Sequence, residues 1–324
     1  MEVKFTQEVL NFELLEKSED QTPRKVRRVF PIAPGKLCFV TGDNVSAGDV
    51  VFDEIESKGV WLNACSNTWK KILKPVIKTD LITDKEDRIL HLFRCKAIDP
   101  ALQGRITIVH EGLVLPTEDI VRFNIEGGLW KEYSKSECYP GRFLDNYLPG
   151  GLKKGQELPM AIFTPSTKEG FGKHDQNISY AEMVSIYDDW IEENSIIGWT
   201  GRNLAQSVKL ASLTVALIGR SLLSKYGQEL RDTKFEFILV PKREGSEIVS
   251  YELRLADEVL TGDSSRIVMN GQHFDKQHLR DYLKEAGWDN KSRFQLPEEV
   301  KKKFIAMYRV NAEIAQQILK SLSF

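Results

Sequence analysis

The segment "LADEVLTGDSSR", Leu255 to Arg266, puts three acids, three hydroxyls and an arginine into twelve residues. Backbone amides after Gly262, the hydroxyls of Ser264 and Ser265, and the guanidinium fork of Arg266 are the groups a phosphate monoester needs. Asp263 would repel such an anion unless a metal or Arg266 holds its carboxylate. The same residues also suit an ordinary Gly-Asp turn with hydroxyl-to-backbone bonds. Upstream lies "DTKFEF", Asp232 to Phe237. If 234–240 and 250–258 are neighbouring strands, alternation puts Asp232, Lys234 and Glu236 on one face and ends the adjacent strand at Asp257. Two carboxylates and a lysine there suit a Mg-nucleotide, because Mg²⁺ takes one or two carboxylates plus phosphate oxygens. A salt-bridged, solvated hairpin face is the alternative.

Three further segments share this preference for anions. In "TPSTKEGFGKHDQNIS" the cations Lys168, Lys173 and His174 could gather around an anion from a loop, although the adjacent His174 and Asp175 cannot face one another as a dyad on a regular element. "RKVRRVF", Arg24 to Phe30, has four cations in five residues, either a polyphosphate contact or a solvated patch. In "LPTEDIVRFNIEGGLWKEY" Glu118 and Arg122 stand four apart, as a helical ion pair would, and Gly127-Gly128 lets the backbone approach a ligand.

The elements that must position these groups are legible in outline. The 324 residues suffice for one large or two ordinary domains, and 41% apolar content supports a core. A net charge of -2 gives no overall field for nucleic acid or an anionic membrane. The four cysteines form no C-x-x-C pair and read as reduced thiols of a cytoplasmic protein. No signal peptide and no apolar run of spanning length is evident, so no membrane partner is expected. "KLCFVT" and "GDVVFD" read as strands around the turn-like "GDNVSA", and a helical period from Trp61 stops at Pro75. "RILHLFRCKAI", "RITIVHEGLVL" and "EDIVRFNI" read as strands, 134–179 as irregular, and 180–230 as helical with a largely buried apolar helix near Leu210. Two strands and helices at 275–286 and 297–322 close the chain. The class is α+β, with two sheet-containing lobes, a monomer or homodimer.

Together "SAGD" (Ser46–Asp49), "KG" (Lys58-Gly59), "PTEDIVR", "WKEY", "IFTPSTK", "HDQNIS", "DTKFEF" and "DEVLTGDSSR" resemble the SAICAR synthetase family, in its order and with compatible spacing from about 24 to 285. The resemblance implies an ATP-dependent ligase of purine biosynthesis that joins L-aspartate to the carboxylate of carboxyaminoimidazole ribotide, giving SAICAR, ADP and phosphate. It implies an N-terminal nucleotide-binding lobe, 1–115, and an ATP-grasp-like lobe with packed C-terminal helices, 116–324, with the ligands between them. It places Lys25 and Arg27 in a phosphate-contacting loop, and Glu118 with the nucleotide. Glu236 and Asp257 would hold Mg²⁺ or ATP, with Lys234 on the strand between. Ser46, Asp49, Lys168, Ser264, Ser265 and Arg266 would meet the second substrate. Lys234, Arg122, His174 and Asp175 would form the catalytic set lining the cleft, with Asp175 or a phosphate oxygen as proton acceptor.

The departures from the family pattern fall at ligand-facing tracts. Arg24-Lys25-Val26-Arg27-Arg28 stands where a Gly-Lys-x-x-Asp pattern is usual, and Gly127-Gly128 replaces Gly-Ser. Glu236-Phe237-Ile238 replaces Glu-Phe-Gly, Gly262 replaces a proline, and Gly42-Asp43-Asn44 replaces Thr-Asp-Arg. Such a pattern suits the family reaction, a paralogous amide-forming ligase with another azole carboxylate or amine, or a nucleotide-binding paralogue without activity.

Overall fold

The structure is a computed structural model and describes residues 9–16, 27–47, 50–135, 141–168, 175–289 and 295–322. The chain divides into two compact units. One draws on the described residues up to Lys74, on Thr79–Gly112 and on the chain from His278 onward; the other comprises Pro75–Lys78 and Leu113–Gln277.

The first unit holds a four-stranded antiparallel sheet in the order Arg27–Ala33, Lys36–Thr41, Ile106–His110, Leu81–Thr83. Phe30, Cys38, Val40, Ile106 and Ile108 form a core with Leu14, Leu15, Ile89 and Phe93. The last two lie on a helix, Glu86–Phe93, inside the "RILHLF" tract that the sequence pattern assigns to a strand. Ile89 and Phe93 are four apart and share one helical face, Glu86 and Asp87 favour the helix N-terminus, and Arg94 at φ 54 ends it. "GDNVSA" also departs from expectation, because Asn44–Ala47 is a strand paired with Val50–Glu54 rather than a turn.

The helix Lys58–Leu73 starts where Asp43 Oδ1 and Oδ2 accept hydrogen bonds from Gly59 N (2.8 Å) and Ser57 N (3.2 Å). Burial would raise the Asp43 pKa, but the two-pronged bond from Arg105 and these amides lower it. A Cβ on Gly59 would lie 2.4 Å from Thr41 O, so only glycine fits. This helix packs on Glu298–Leu322, and Leu62, Phe304 and Tyr308 share a core with Leu279 and Leu283 of the helix Lys276–Glu285. The same cluster is why the chain from His278 joins the first unit instead of lying with 116–277, as a single cut after 115 would have it.

The second unit is built on a seven-stranded antiparallel sheet. Its order is Glu157–Thr167, Thr117–Asn124, Gln228–Glu244, Ser265–Met269, Gln272–His273, with Leu113–Val114 and Glu247–Ala256 also paired to the far half of Gln228–Glu244. The eleven-residue strand Glu157–Thr167 lies in the tract expected to be irregular. Its two prolines hid it, and both are tolerable because the strand is at the sheet edge. The helices Tyr180–Glu193 and Gly201–Ser224 start with capping boxes, Ser179 with Glu182 and Thr200 with Asn203. By length and composition Gly201–Ser224 could cross a membrane. Its buried stripe, Leu204, Ala205, Val208, Val215 and Ala216, packs on the sheet, while Leu210 and Leu217 are exposed, so the helix is less buried than its composition suggests.

Candidate active site

Three neighbouring strands bring the charged residues of the second unit together. In register, Glu118 and Arg122 of Thr117–Asn124 fall on the same face as Asp232, Lys234 and Glu236 of Gln228–Glu244, and Thr164, Ser166 and Lys168 extend that face at the sheet edge. The strand geometry replaces the helical ion pair that the Glu118–Arg122 spacing allowed. Glu118 Oε1 accepts from Lys234 Nζ at 2.7 Å, whereas Arg122 donates through Nε to Thr164 Oγ1 at 2.9 Å.

At one end of the face Glu118, Lys168, Lys234, Glu236 and Asp257 meet. Lys168 Nζ donates to Glu236 Oε2. Burial raises the Glu236 pKa, the nearby Asp257 raises it further, and Lys168 and Lys234 oppose both. Burial works against the charge on Lys234, but Glu118, Glu236 and Asp257 outweigh it and raise its pKa. Asp257 closes the strand Glu247–Ala256 at φ 57, a left-handed conformation that Asp and Asn accept more readily than other side chains. Glu236, Lys234 and Asp257, named together from strand geometry, therefore converge, with Lys168 joining from the sheet edge.

At the other end Asp232 Oδ2 accepts from Arg266 Nη1 and lies 3.8 Å from Arg122 Nη1. Burial and the facing Arg266 lower the Arg122 pKa against the pull of Asp232. Gly127, at φ 53, sits under the Arg266 guanidinium, and a Cβ there would come within 2.3 Å of Nη2. The glycine pair thus does bring backbone close to a charged group, although for Gly127 that group is the protein's own arginine.

The hydroxyls of the opening motif are engaged within the protein. Ser265 Oγ donates to Thr233 Oγ1 at 2.9 Å, on the opposite face from Arg266. Ser264 Oγ accepts from Thr261 N at 3.1 Å, and Thr261 Oγ1 accepts from the amides of Asp263 and Ser264, which is the turn reading of this segment. Lys276 Nζ lies 3.0 Å from Asp263 Oδ2, so a lysine ten residues beyond Arg266 neutralises the acid that would repel an anion. Asp175 is exposed. Arg27 begins a strand of the first unit with its guanidinium over the Phe39 ring, and Ser46 lies on Asn44–Ala47. Lys25, Asp49, Lys173 and His174 lie outside the described residues.

Lys276 and Asp232 escaped the list of site residues drawn from sequence, as did Ser166. Ser166 is directly across from Glu118 and buries a hydroxyl with no hydrogen-bond partner among the described residues. Alternation put Asp232 on the right face, but its two arginines come from other strands. On the opposite face Thr117 Oγ1 lies 3.4 Å from both Asp119 carboxyl oxygens and 2.6 Å from the Tyr187 hydroxyl. Burial pushes the Asp119 carboxyl well up.

A sequence model of SAICAR synthetase matches residues 23–295. The chain belongs to the SAICAR synthetase family. The phosphoribosylaminoimidazole-succinocarboxamide synthase of Maridesulfovibrio salexigens is 35% identical over 289 residues, covering 85% of this chain and 86% of its own. The enzyme of the same name from Schizosaccharomyces pombe is 33% identical over 301 residues, 88% and 91% of the two chains. Among solved structures, the Saccharomyces cerevisiae SAICAR synthase in complex with SAICAR superposes with a TM-score of 0.72 at 29% identity, covering 92% of this chain and 94% of that one. The α+β fold is that of SAICAR synthases.

Proposed function

We propose that this protein is an ATP-dependent carbon–nitrogen ligase of purine biosynthesis, joining L-aspartate to the carboxylate of carboxyaminoimidazole ribotide to give SAICAR, ADP and phosphate. The observation that carries it is the family match over residues 23–295, with the acids and cations such a reaction needs on one sheet face. A paralogue acting on another azole carboxylate, or one without activity, is not favoured, since relatives at 33–35% identity share one enzyme name.

A carboxylate is a poor acyl donor because its oxygen leaves badly. Transfer of the terminal phosphoryl group of ATP to that oxygen makes an acyl phosphate, and the aspartate amine then displaces phosphate. Glu236 and Asp257 are the residues that would hold Mg²⁺. Their oxygens are hard donors, and Mg²⁺ takes one or two carboxylates together with phosphate oxygens. When bound, the ion would neutralise charge on the transferring group. Lys168 and Lys234 balance the two acids and stand ready to meet phosphate oxygens, and Glu118 fixes the direction of Lys234.

Arg122 and Arg266 anchor the ribotide phosphate. Asp232 and Glu236 are four residues apart, about 13 Å along a strand, which suits a substrate held by its phosphate at one end and reacting at a carboxylate near the other. Lys25 and Arg27 are the residues that would contact phosphate in the family's N-terminal loop, and Ser46 and Asp49 belong to the substrate-binding set. Asp175, exposed, or a phosphate oxygen accepts the amine proton, and His174 is the residue before it in the sequence. A cytoplasmic setting belongs to the same reading, supported by the buried thiols Cys38, Cys65 and Cys95.

The test is product formation from Mg-ATP, the ribotide and L-aspartate, with each substrate omitted in turn. The expected result is SAICAR with one ADP per product, and only when all three are present. A stable phosphorylated ribotide formed without aspartate, or turnover of a different azole carboxylate alone, would overturn the assignment.

A further inference from the structure

The strand Gln228–Glu244 carries one irregularity beside the arginine pair. Against Ser265–Met269 its pairing runs Leu230 to Ile267 and then Asp232 to Arg266, so Arg231 is an extra residue, a β-bulge. On its other flank, against Thr117–Asn124, pairing is regular and Arg122 stands opposite Asp232. Without the bulge Arg231 would stand opposite Arg266, and Asp232 would face Ser265. With it, Arg231 turns to Glu126 (2.5 Å) and Glu229 (3.2 Å), while Asp232 becomes the direct cross-strand neighbour of an arginine on each side.

We propose that Asp232 is a positioning residue that holds Arg122 and Arg266 as one pre-arranged fork for the ribotide phosphate, set between them by the bulge at Arg231. The proposal rests on the phosphate-anchor reading above. Arg122 and Arg266 lie two strand spacings apart, about 10 Å at the backbone, and the charge of Arg266 acts against that of Arg122; Asp232, directly opposite both, is the anion that lies between them. Asp232 is 6% exposed, which leaves water little access to take its place. Asp275 and Glu126 also act on Arg266, yet its buried Nε meets no hydrogen-bond partner among the described residues and is left to donate to a phosphate. The remaining contacts also restrict both arginines: Thr164 holds Arg122 Nε, and the backbone of Gly127 lies against the Arg266 guanidinium.

The experiment is steady-state kinetics on the full chain with ATP, ribotide and aspartate varied separately. Asp232→Asn keeps the shape and one acceptor but removes the shared charge. The ribotide KM should rise about tenfold, the worth of one charge-assisted hydrogen bond, with the ATP KM changed less than about twofold. Asp232→Glu keeps the charge but moves it by a methylene, and should also raise the ribotide KM. It carries the test by the same measure if the asparagine variant does not fold. A ribotide KM that stays the same or falls in the folded variants overturns the proposal. Arg266→Lys separates the two levels, since an unchanged ribotide KM there refutes the anchor itself. A rise with Arg266→Lys but none with either Asp232 variant refutes only the positioning role.

Discussion

Replacing Gly127 with alanine tests how the Arg266 guanidinium is held. The new Cβ would lie 2.3 Å from Nη2, 2.8 Å from Cζ and 2.9 Å from Nη1, where ordinary contacts begin near 3.4 Å. The guanidinium must withdraw by about 1 Å, enough to break a charge-assisted hydrogen bond to Asp232 worth roughly 1.5–3 kcal/mol. Holding alanine at φ 53 costs about 1 kcal/mol more. Gly127→Ala should therefore lose roughly 2.5–4 kcal/mol of stability and raise the ribotide KM about tenfold, while the ATP KM stays within about twofold. Denaturant unfolding read beside initial rates at varied ribotide separates the two effects. Gly128→Ala is the control, because a Cβ at Gly128 meets nothing within 4 Å. If both variants behave alike, or if Gly127→Ala keeps the ribotide KM of the parent, the packing argument for Arg266 fails.

Asp257→Asn keeps a side chain that tolerates φ 57 but removes an anionic oxygen, so it should fold normally, lose about 100-fold or more in kcat and need more Mg²⁺; full activity at low Mg²⁺ would exclude Asp257 as a ligand. Lys70 and Asp80 form a 2.6 Å ion pair with both side chains 2% exposed, so Lys70→Met should destabilise the protein by roughly 3–5 kcal/mol in denaturant titration by leaving a buried charge uncompensated. Burial would raise the Glu252 pKa, but Lys78, Lys242 and Arg254 bring it down from 4.5 to about 2. A depressed carboxylate stabilises fully above its unfolded pKa and loses that contribution as pH falls through its folded one. Glu252→Gln should therefore cost about 1 kcal/mol at neutral pH, after allowing for the exposed lysines, and the difference from the parent should vanish between pH 4.5 and about 2 in acid titration.

Much of this protein is written in local pattern. Alternation in "DTKFEF" lined up Asp232, Lys234 and Glu236, and the hydrophobic tracts around it marked the hairpin that carries Asp257. The capping signals at Ser179 and the helical period ending at Pro75 likewise act over a few residues, so sequence alone reveals them. The tract "RILHLFRCKAI" was ambiguous because Ile89 and Phe93 suit either a strand or a helix until a core lies on one side of them.

What the tertiary structure decided is which charges meet. Lys234 finds Glu118 across 116 positions and Arg266 finds Asp232 across 34, pairings set by strand order and register rather than by spacing. A single extra residue at Arg231 changes the partner of Arg266, and alternation by itself does not reveal a bulge. In "LADEVLTGDSSR" the residue types alone named an anion site, but a hydroxyl can bind a ligand or its own turn with the same chemistry. Only the fold assigned Ser264 to the turn, Ser265 to the opposite face and Asp263 to Lys276, leaving Arg266 and Asp257 on the charged face, because each assignment depends on which atoms the sheet brings within 3 Å or so.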